Sequence, residues 1–74
     1  MSNIIDATGY NCPIPVLKAR KAIKSIDAGE EIVVLASDPA SAIDIPHFCN
    51  TAGHELLEQS EEEGVFRYLI RKIA

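Results

Sequence analysis

The chain has 74 residues, 47% of them hydrophobic and 24% charged, which predicts one globular domain spanning residues 1–74. Its net charge of −4 disfavours direct, tight binding to DNA or RNA, because nucleic-acid binders carry a basic surface. The apolar runs are too short for a signal peptide or a membrane span, and two cysteines are too few for a secreted disulfide framework. We therefore expect a cytoplasmic protein with no membrane association. We also expect it to be a monomer.

Hydrophobic periodicity predicts six elements in the order βαβαββ. The first helix carries its apolar residues on one arc, with Lys18, Arg20, Lys21 and Lys24 outside it. The predicted bounds, in chain order, are Asn3 to Ala7, Pro13 to about Ile26, Glu31 to Ser37, a helix that opens at Asp38-Pro39 and stops at Gly53, and roughly His54 to Glu61 and Val65 to Ile73. This order predicts an α+β fold, a two-layer sandwich of a four-stranded mixed sheet with both helices packed on one face.

Turn and capping residues set the expected boundaries of these elements. Gly29 suits the left-handed end of the first helix, and a turn is expected near Glu63-Gly64. Asp38-Pro39 predicts the start of the second helix, with Asp as N-cap and Pro at the first helical position. Pro46 lies inside that helix, where it either kinks the helix or marks a second start capped by Asp44.

Cys12 is the candidate reactive residue. Because Pro13 disfavours the α region for the residue before it, Cys12 is expected to be extended and to act as the N-cap of the first helix. Pro15 has no N–H, so the amide of Ile14 is the predicted donor to the Cys12 sulfur. The partial positive charge of a helix N-terminus and the nearby basic residues predict a thiol pKa below its ordinary value.

The segment around Cys12 resembles a known signature. Asp6-x-x-Gly9-x-x-Cys12-Pro13-x-Pro15 is similar to the motif of the TusA (SirA-like) sulfur-carrier family, in which Gly9, Pro13 and Pro15 would shape the site. Asp38-Pro39, Asp44-Ile45-Pro46 and the segment from Arg67 to Lys72 extend the resemblance over nearly the whole chain. It implies a βαβαββ sandwich, in agreement with the elements predicted above.

The resemblance also implies a function. The cysteine matching Cys12 accepts sulfur as a persulfide from a cysteine desulfurase and passes it to the thiol of a downstream sulfur-relay protein. In one branch of the family this sulfur is used for 2-thiouridine in tRNA, and other branches serve molybdenum-cofactor supply or sulfur oxidation. Two alternatives belong to other functional classes. The first is a thiol redox or regulatory protein, but this chain has no Cys-x-x-Cys pair. The second is an RNA-binding module, but this chain lacks the strand aromatic residues on which bases would stack.

The remaining candidates have weaker roles. Cys49 lies on the apolar face of the second helix and is expected to be a buried structural cysteine. His47 and Cys49 project about 200° apart on that helix, so we expect no metal site. The sequence motifs also give no reason to expect a cofactor.

The first helix also carries a possible docking surface. Ile14 and Leu17 point away from its core arc, and Lys18 and Lys21 follow the thiol on the solvent side. These four residues are expected to contact partner proteins, with a simple solvated helix face as the alternative.

Overall fold

The computed structural model describes residues 3–73 and contains four strands and two helices in the predicted order. Their bounds are β1 (Asn3–Ala7), α1 (Ile14–Lys24), β2 (Glu31–Ala36), α2 (Ser41–Ala52), β3 (Glu55–Glu62) and β4 (Val65–Arg71). The strands form one sheet in the order β1-β2-β4-β3. β1 pairs with β2 in parallel, and the other two pairs are antiparallel. The predicted α+β class and four-stranded mixed sheet are therefore confirmed.

The core lies between the sheet and the two helices. Every second residue of β2 faces the helices, and Ile32, Val34 and Ala36 are fully buried. On β4 the same alternation buries Tyr68 and Ile70, which pair with Val34 and Ile32 across the strands. The helices add further buried side chains, namely Ala19, Ile23, Ile45, Phe48 and Cys49. The core is therefore built mostly of small and aliphatic side chains, with Phe48 and Tyr68 as its buried aromatic residues.

The ends of α1 differ from the prediction. The helix begins at Ile14, with Pro13 in the N-cap position, and its last helical residue is Lys24. Ser25 ends it in a right-handed conformation, its N–H bonded to the carbonyls of the preceding turn. Gly29 does have a φ of 93°, as expected, but its amide donates to the carbonyl of Lys72 at 2.7 Å. The glycine therefore shapes the loop to β2 instead of capping the helix.

The start of α2 is also corrected. Its N-cap is Ala40, two residues later than the predicted cap Asp38. The Asp38 carboxylate instead accepts a hydrogen bond from the Ala40 amide at 3.1 Å, in a turn that precedes the helix. An aspartate side chain that bonds the amide two residues on competes with helical capping, so the turn is formed before the helix starts.

Pro46 neither ends nor restarts α2, which runs without interruption from Ser41 to Ala52. Because proline has no N–H, the carbonyl of Ala42 lacks its usual helical donor. The side-chain amide of Gln59, on β3, donates to that carbonyl at 3.5 Å. A neighbouring strand thus replaces the helical bond that proline removes.

The two C-terminal strands form a hairpin with a two-residue turn. Glu62 pairs with Val65, and the intervening Glu63 and Gly64 have φ values of 51° and 80°. Positive φ at both turn residues is the geometry that suits the twist of a tight hairpin, and glycine adopts it without a steric penalty. The turn predicted at Glu63-Gly64 is confirmed. Within residues 3–73 neither helix is long and apolar enough to cross a membrane.

Candidate functional site

Two loops meet where the parallel strands β1 and β2 end. The loop from β1 to α1 carries Cys12, and the loop from β2 to α2 lies beside it. The Gly9 amide donates to the Ser37 hydroxyl at 2.8 Å, and the Cys12 amide donates to the Asp38 carboxylate at 2.6 Å. These bonds join residues 28 and 26 positions apart in sequence and fix the backbone of Cys12 against the second loop.

The Cys12 thiol contacts an acidic side chain of α2. The thiol is exposed, and its Sγ donates a hydrogen bond to Oδ2 of Asp44 at 2.7 Å. This bond raises the pKa of Cys12, because a proton shared with a carboxylate is harder to remove. Partial desolvation and the negative charges of Asp44 and Asp38 act in the same direction. In the isolated chain the sulfur is therefore held as the neutral thiol.

The expected stabilisation of a Cys12 thiolate is wrong on two counts. First, Pro13 and not Cys12 is the N-cap, and the Ile14 amide donates to the carbonyl of Asn11 at 2.9 Å instead of to the sulfur. Second, the groups that dominate the thiol are carboxylates, so the pKa of Cys12 moves up and not down. The side chains that bond the sulfur and its amide are those of two aspartates, Asp44 and Asp38.

A shallow cavity of about 310 Å³ lies next to the thiol, between α1 and α2. Val16 and Phe48 contribute apolar side chains to its lining, and Arg20 lies over the Phe48 ring at 5.7 Å from the ring centroid. The rest of its lining is Cys12, Pro13, Asp44, His47 and Thr51. The cavity gives an incoming side chain direct access to the sulfur, with one cation and one carboxylate at its walls.

The three motif residues near Cys12, Gly9, Pro13 and Pro15, have different structural roles. Gly9 has a φ of 83°, a left-handed conformation that a side chain rarely adopts, so the sharp turn after β1 requires glycine there. Pro15 is buried in the first turn of α1, and Pro13 precedes the helix. Together they set the direction in which the chain passes from Cys12 into α1.

The four predicted docking residues form one stripe along α1. Ile14, Leu17, Lys18 and Lys21 follow the spacing of a single helix face, and Leu17 is 48% exposed. Tyr10, which the sequence did not single out, joins this stripe, because the Lys18 ammonium lies 4.7 Å from its ring centroid. Lys18 and Lys21 also line a second cavity of about 350 Å³ between α1 and β1. We call Tyr10 and these four residues the α1 stripe.

The other candidates lie where the sequence placed them. Cys49 is 2% exposed and packs in the core, so its prediction as a buried cysteine is confirmed. His47 is exposed on the other side of α2. Among residues 3–73, no three His, Cys, Asp or Glu side chains are grouped closely enough to hold a metal ion.

Sequence reasoning missed Asp38 and Asp44 as parts of the site. Local sequence rules place Asp38 at a helix cap and Asp44 at the cap of an alternative second helix start. Asp44 lies 32 positions from Cys12, so no local spacing rule connects the two. The available signal was that Asp38-Pro39 and Asp44-Ile45-Pro46 both belong to the segments that carry the family resemblance.

The chain is similar to known proteins over nearly its whole length. The family described as Sulfurtransferase TusA matches residues 3–72. A protein named Sulfur carrier protein TusA from Pseudomonas putida is 51% identical over 71 residues, which covers 96% of this chain and 89% of that protein. A protein with the same name from Pseudomonas aeruginosa is 48% identical over 71 residues, covering 96% of this chain and 90% of that one.

A solved structure matches the fold. The crystal structure of a SirA-like protein from Desulfitobacterium hafniense superimposes with a TM-score of 0.84 at 32% sequence identity. The match covers the full length of both chains, so both layers of the sandwich and their connections are shared.

Proposed function

The chain belongs to the TusA sulfurtransferase family, whose members are sulfur carriers, and from this premise we propose that it carries sulfane sulfur as a persulfide on Cys12. The proposed donor is a cysteine desulfurase, and the proposed acceptor is the thiol of a downstream sulfur-relay protein. In this role Cys12 alternates between a thiol and a persulfide, and no other cysteine takes part.

One observation carries this proposal: of the two cysteines, only Cys12 is accessible, and it lies at the mouth of a cavity. Its backbone amide is fixed by Asp38 and its sulfur by Asp44, so the thiol is held in one position without a mobile loop. Sulfur exchange needs a sulfur that a second protein can reach, since the transfer passes directly between two cysteines.

The α1 stripe is proposed as the surface that receives partners. It combines exposed apolar area on Leu17 and Tyr10 with two lysines, next to the loop that carries Cys12. Apolar side chains provide contact area, and exposed charges steer the encounter.

The first test is the intact mass of the chain after incubation with a cysteine desulfurase and cysteine. We expect a gain of one sulfur atom that is lost on treatment with a reductant, as a persulfide requires. A mass that never changes, together with reversible oxidation of Cys12 to a sulfenic acid or mixed disulfide, would contradict the proposal and favour the thiol redox alternative.

The proposed destination of the sulfur is 2-thiouridine in tRNA. A strain that depends on this chain as its carrier should lose 2-thiouridine from its tRNA when Cys12 is replaced by Ser. Normal 2-thiouridine with a loss of molybdenum-cofactor activity or of sulfur oxidation would instead assign the chain to one of those branches. We further propose that it acts as a monomer in the cytoplasm, where both free thiols would stay reduced.

A further inference from the structure

We propose that Asp44 is the proton acceptor for Cys12 in sulfur loading, taking the thiol proton as the sulfur attacks the donor persulfide and passing it to the leaving thiolate. This inference rests on the proposed function, because it concerns the step in which Cys12 gains sulfur. It assigns a catalytic role to a residue of α2 that the sequence did not connect with the thiol.

The geometry of the contact supports this role. Sγ of Cys12 donates to Oδ2 of Asp44 at 2.7 Å, so the proton already lies between the two groups before a donor arrives. A general base must be within hydrogen-bond reach of the proton it removes, and Asp44 meets that requirement. Both side chains line the same cavity, so a donor sulfur entering it meets the thiol and the carboxylate together.

The surroundings leave Asp44 as the base best placed to act. Asp38, from the loop before α2, is occupied by the amides of Cys12 and Ala40. Arg20 from α1 and His47 from α2 line the cavity, and neither forms a hydrogen bond with the sulfur. On the sheet side the hydroxyl of Tyr68 of β4 is paired with the Ser41 hydroxyl at 2.8 Å.

The proposed step balances without an added oxidant or reductant. The Cys12 sulfur forms a bond to the outer sulfur of the donor persulfide R–S–SH, and the donor's S–S bond breaks. The electron pair of that bond leaves with the inner sulfur as a thiolate, R–S⁻. The proton of Cys12 moves to Asp44 and then to R–S⁻, giving the Cys12 persulfide and R–SH, with the carboxylate regenerated.

This arrangement accounts for a reactive cysteine with a raised pKa. Asp44 lowers the fraction of free thiolate, which by itself slows reaction with any electrophile. The same carboxylate removes the proton during transfer, so a donor that enters the cavity does not depend on a pre-formed thiolate. The chain would thus react slowly with small electrophiles and oxidants, and efficiently with a donor persulfide.

The test compares Asp44→Asn with two further variants. Asp44→Glu keeps a carboxylate, and Asp27→Asn removes the same charge from an exposed position in the loop after α1. Asparagine should lower the apparent pKa of Cys12, because it removes the carboxylate that accepts the thiol hydrogen bond, and should raise alkylation by iodoacetamide at pH 7 about tenfold. Single-turnover loading from a saturating persulfidated cysteine desulfurase should instead fall at least about tenfold, because general bases contribute about 10²- to 10⁴-fold.

A pH profile separates proton transfer from docking. In Asp44→Asn, loading depends on the thiolate, so its deficit relative to wild type should shrink as pH rises toward the pKa of Cys12. A docking defect would disappear at saturating donor and would not change with pH in this way. Asp44→Glu should recover part of the loading rate, and Asp27→Asn should match the wild type in both assays.

Each other outcome overturns the proposal. Unchanged alkylation in Asp44→Asn would show that the carboxylate does not control the thiol. Faster alkylation with equal or faster loading would show that Asp44 only suppresses the thiolate and takes no part in transfer. If the wild-type chain gains no sulfur although alkylation shifts as expected, the carrier function itself is wrong, and the proton-transfer step is wrong with it.

Discussion

The two cysteines of this chain share a raised pKa and owe it to opposite environments. Cys12 is exposed on a loop, and its pKa is raised by the hydrogen bond to Asp44 and by nearby negative charge. Cys49 is 2% exposed inside the core, and burial raises its pKa to about 11. Neither thiol is a thiolate at neutral pH in the isolated chain.

The two cysteines differ in whether the cause of the raised pKa can be removed while the chain stays folded. The desolvation of Cys49 is part of the packed core and persists as long as the chain is folded. The hydrogen bond of Cys12 is at the surface, beside a cavity, where an incoming partner can change it. Accessibility and a proton acceptor within reach therefore distinguish the candidate carrier thiol better than a low pKa does.

Replacing each cysteine by Ser should separate them most strongly. Cys12→Ser should abolish sulfur loading by a cysteine desulfurase, because the persulfide has no attachment site, and should leave the fold unchanged. Cys49→Ser should load normally but lose about 1–3 kcal/mol of unfolding free energy, because it places a hydroxyl in the core. Intact mass and denaturant unfolding measure the two effects. Loss of loading in Cys49→Ser, with the fold intact, would contradict this division.

Alkylation of the native protein should show the same difference kinetically. Cys12 should be labelled by iodoacetamide under native conditions, while Cys49 reacts only when the core opens. Because core residues open with free energies near the global value, the protection of Cys49 should be at least about 10³-fold. Peptide mapping after timed quenching measures the two rates. Equal labelling of both cysteines would show that α2 opens far more readily than its packing indicates.

Much of the fold was predictable because its signals are local. The alternation in β4, the arc of α1 and the Glu63-Gly64 turn each depend on residues close in sequence. The start of α2 could not be predicted in this way, because Asp38 suits both a helix cap and a turn. Only its bonds to Ala40 and Cys12 decide between the two. For the same reason the pKa of Cys12 shifts in the direction opposite to the predicted one, because Asp44 reaches the thiol from 32 positions away.

Charge reversal on α1 should slow the loading of Cys12 by weakening the approach of partner proteins, and it should leave the pKa of Cys12 unchanged. Replacing Lys18, Lys21 and Lys24 by Glu should slow loading from a protein donor by about tenfold at low salt, because exposed charges act mainly on association. The defect should shrink as ionic strength rises, since the Debye length falls to about 8 Å near physiological salt. Alkylation by a neutral reagent should change little. An equal loss in both assays at every salt concentration would show that these lysines act on the thiol itself.

Burial of Cys49 should also make the stability of the folded chain depend on alkaline pH. Its pKa in the folded chain is about 11, against an ordinary value of 9.0. Between these values the unfolded chain loses the thiol proton and the folded chain keeps it, so the folded state binds more protons. Stability from this group is therefore fully present below about pH 9 and is lost as pH rises toward 11, by up to about 1.4 kcal/mol per unit.

Cys49→Ala isolates this contribution from the other groups that titrate in the same range. The alanine variant should be less stable at pH 8, because a buried sulfur is removed, but its stability should fall less steeply from pH 9 to 11. Cys12 and Tyr68, whose pKa values are also raised, are present in both proteins and cancel in the difference. Denaturant unfolding at half-unit pH steps measures the two slopes. Parallel slopes would mean that Cys49 ionises as easily in the folded chain as in the unfolded one, which a packed core around it would not allow.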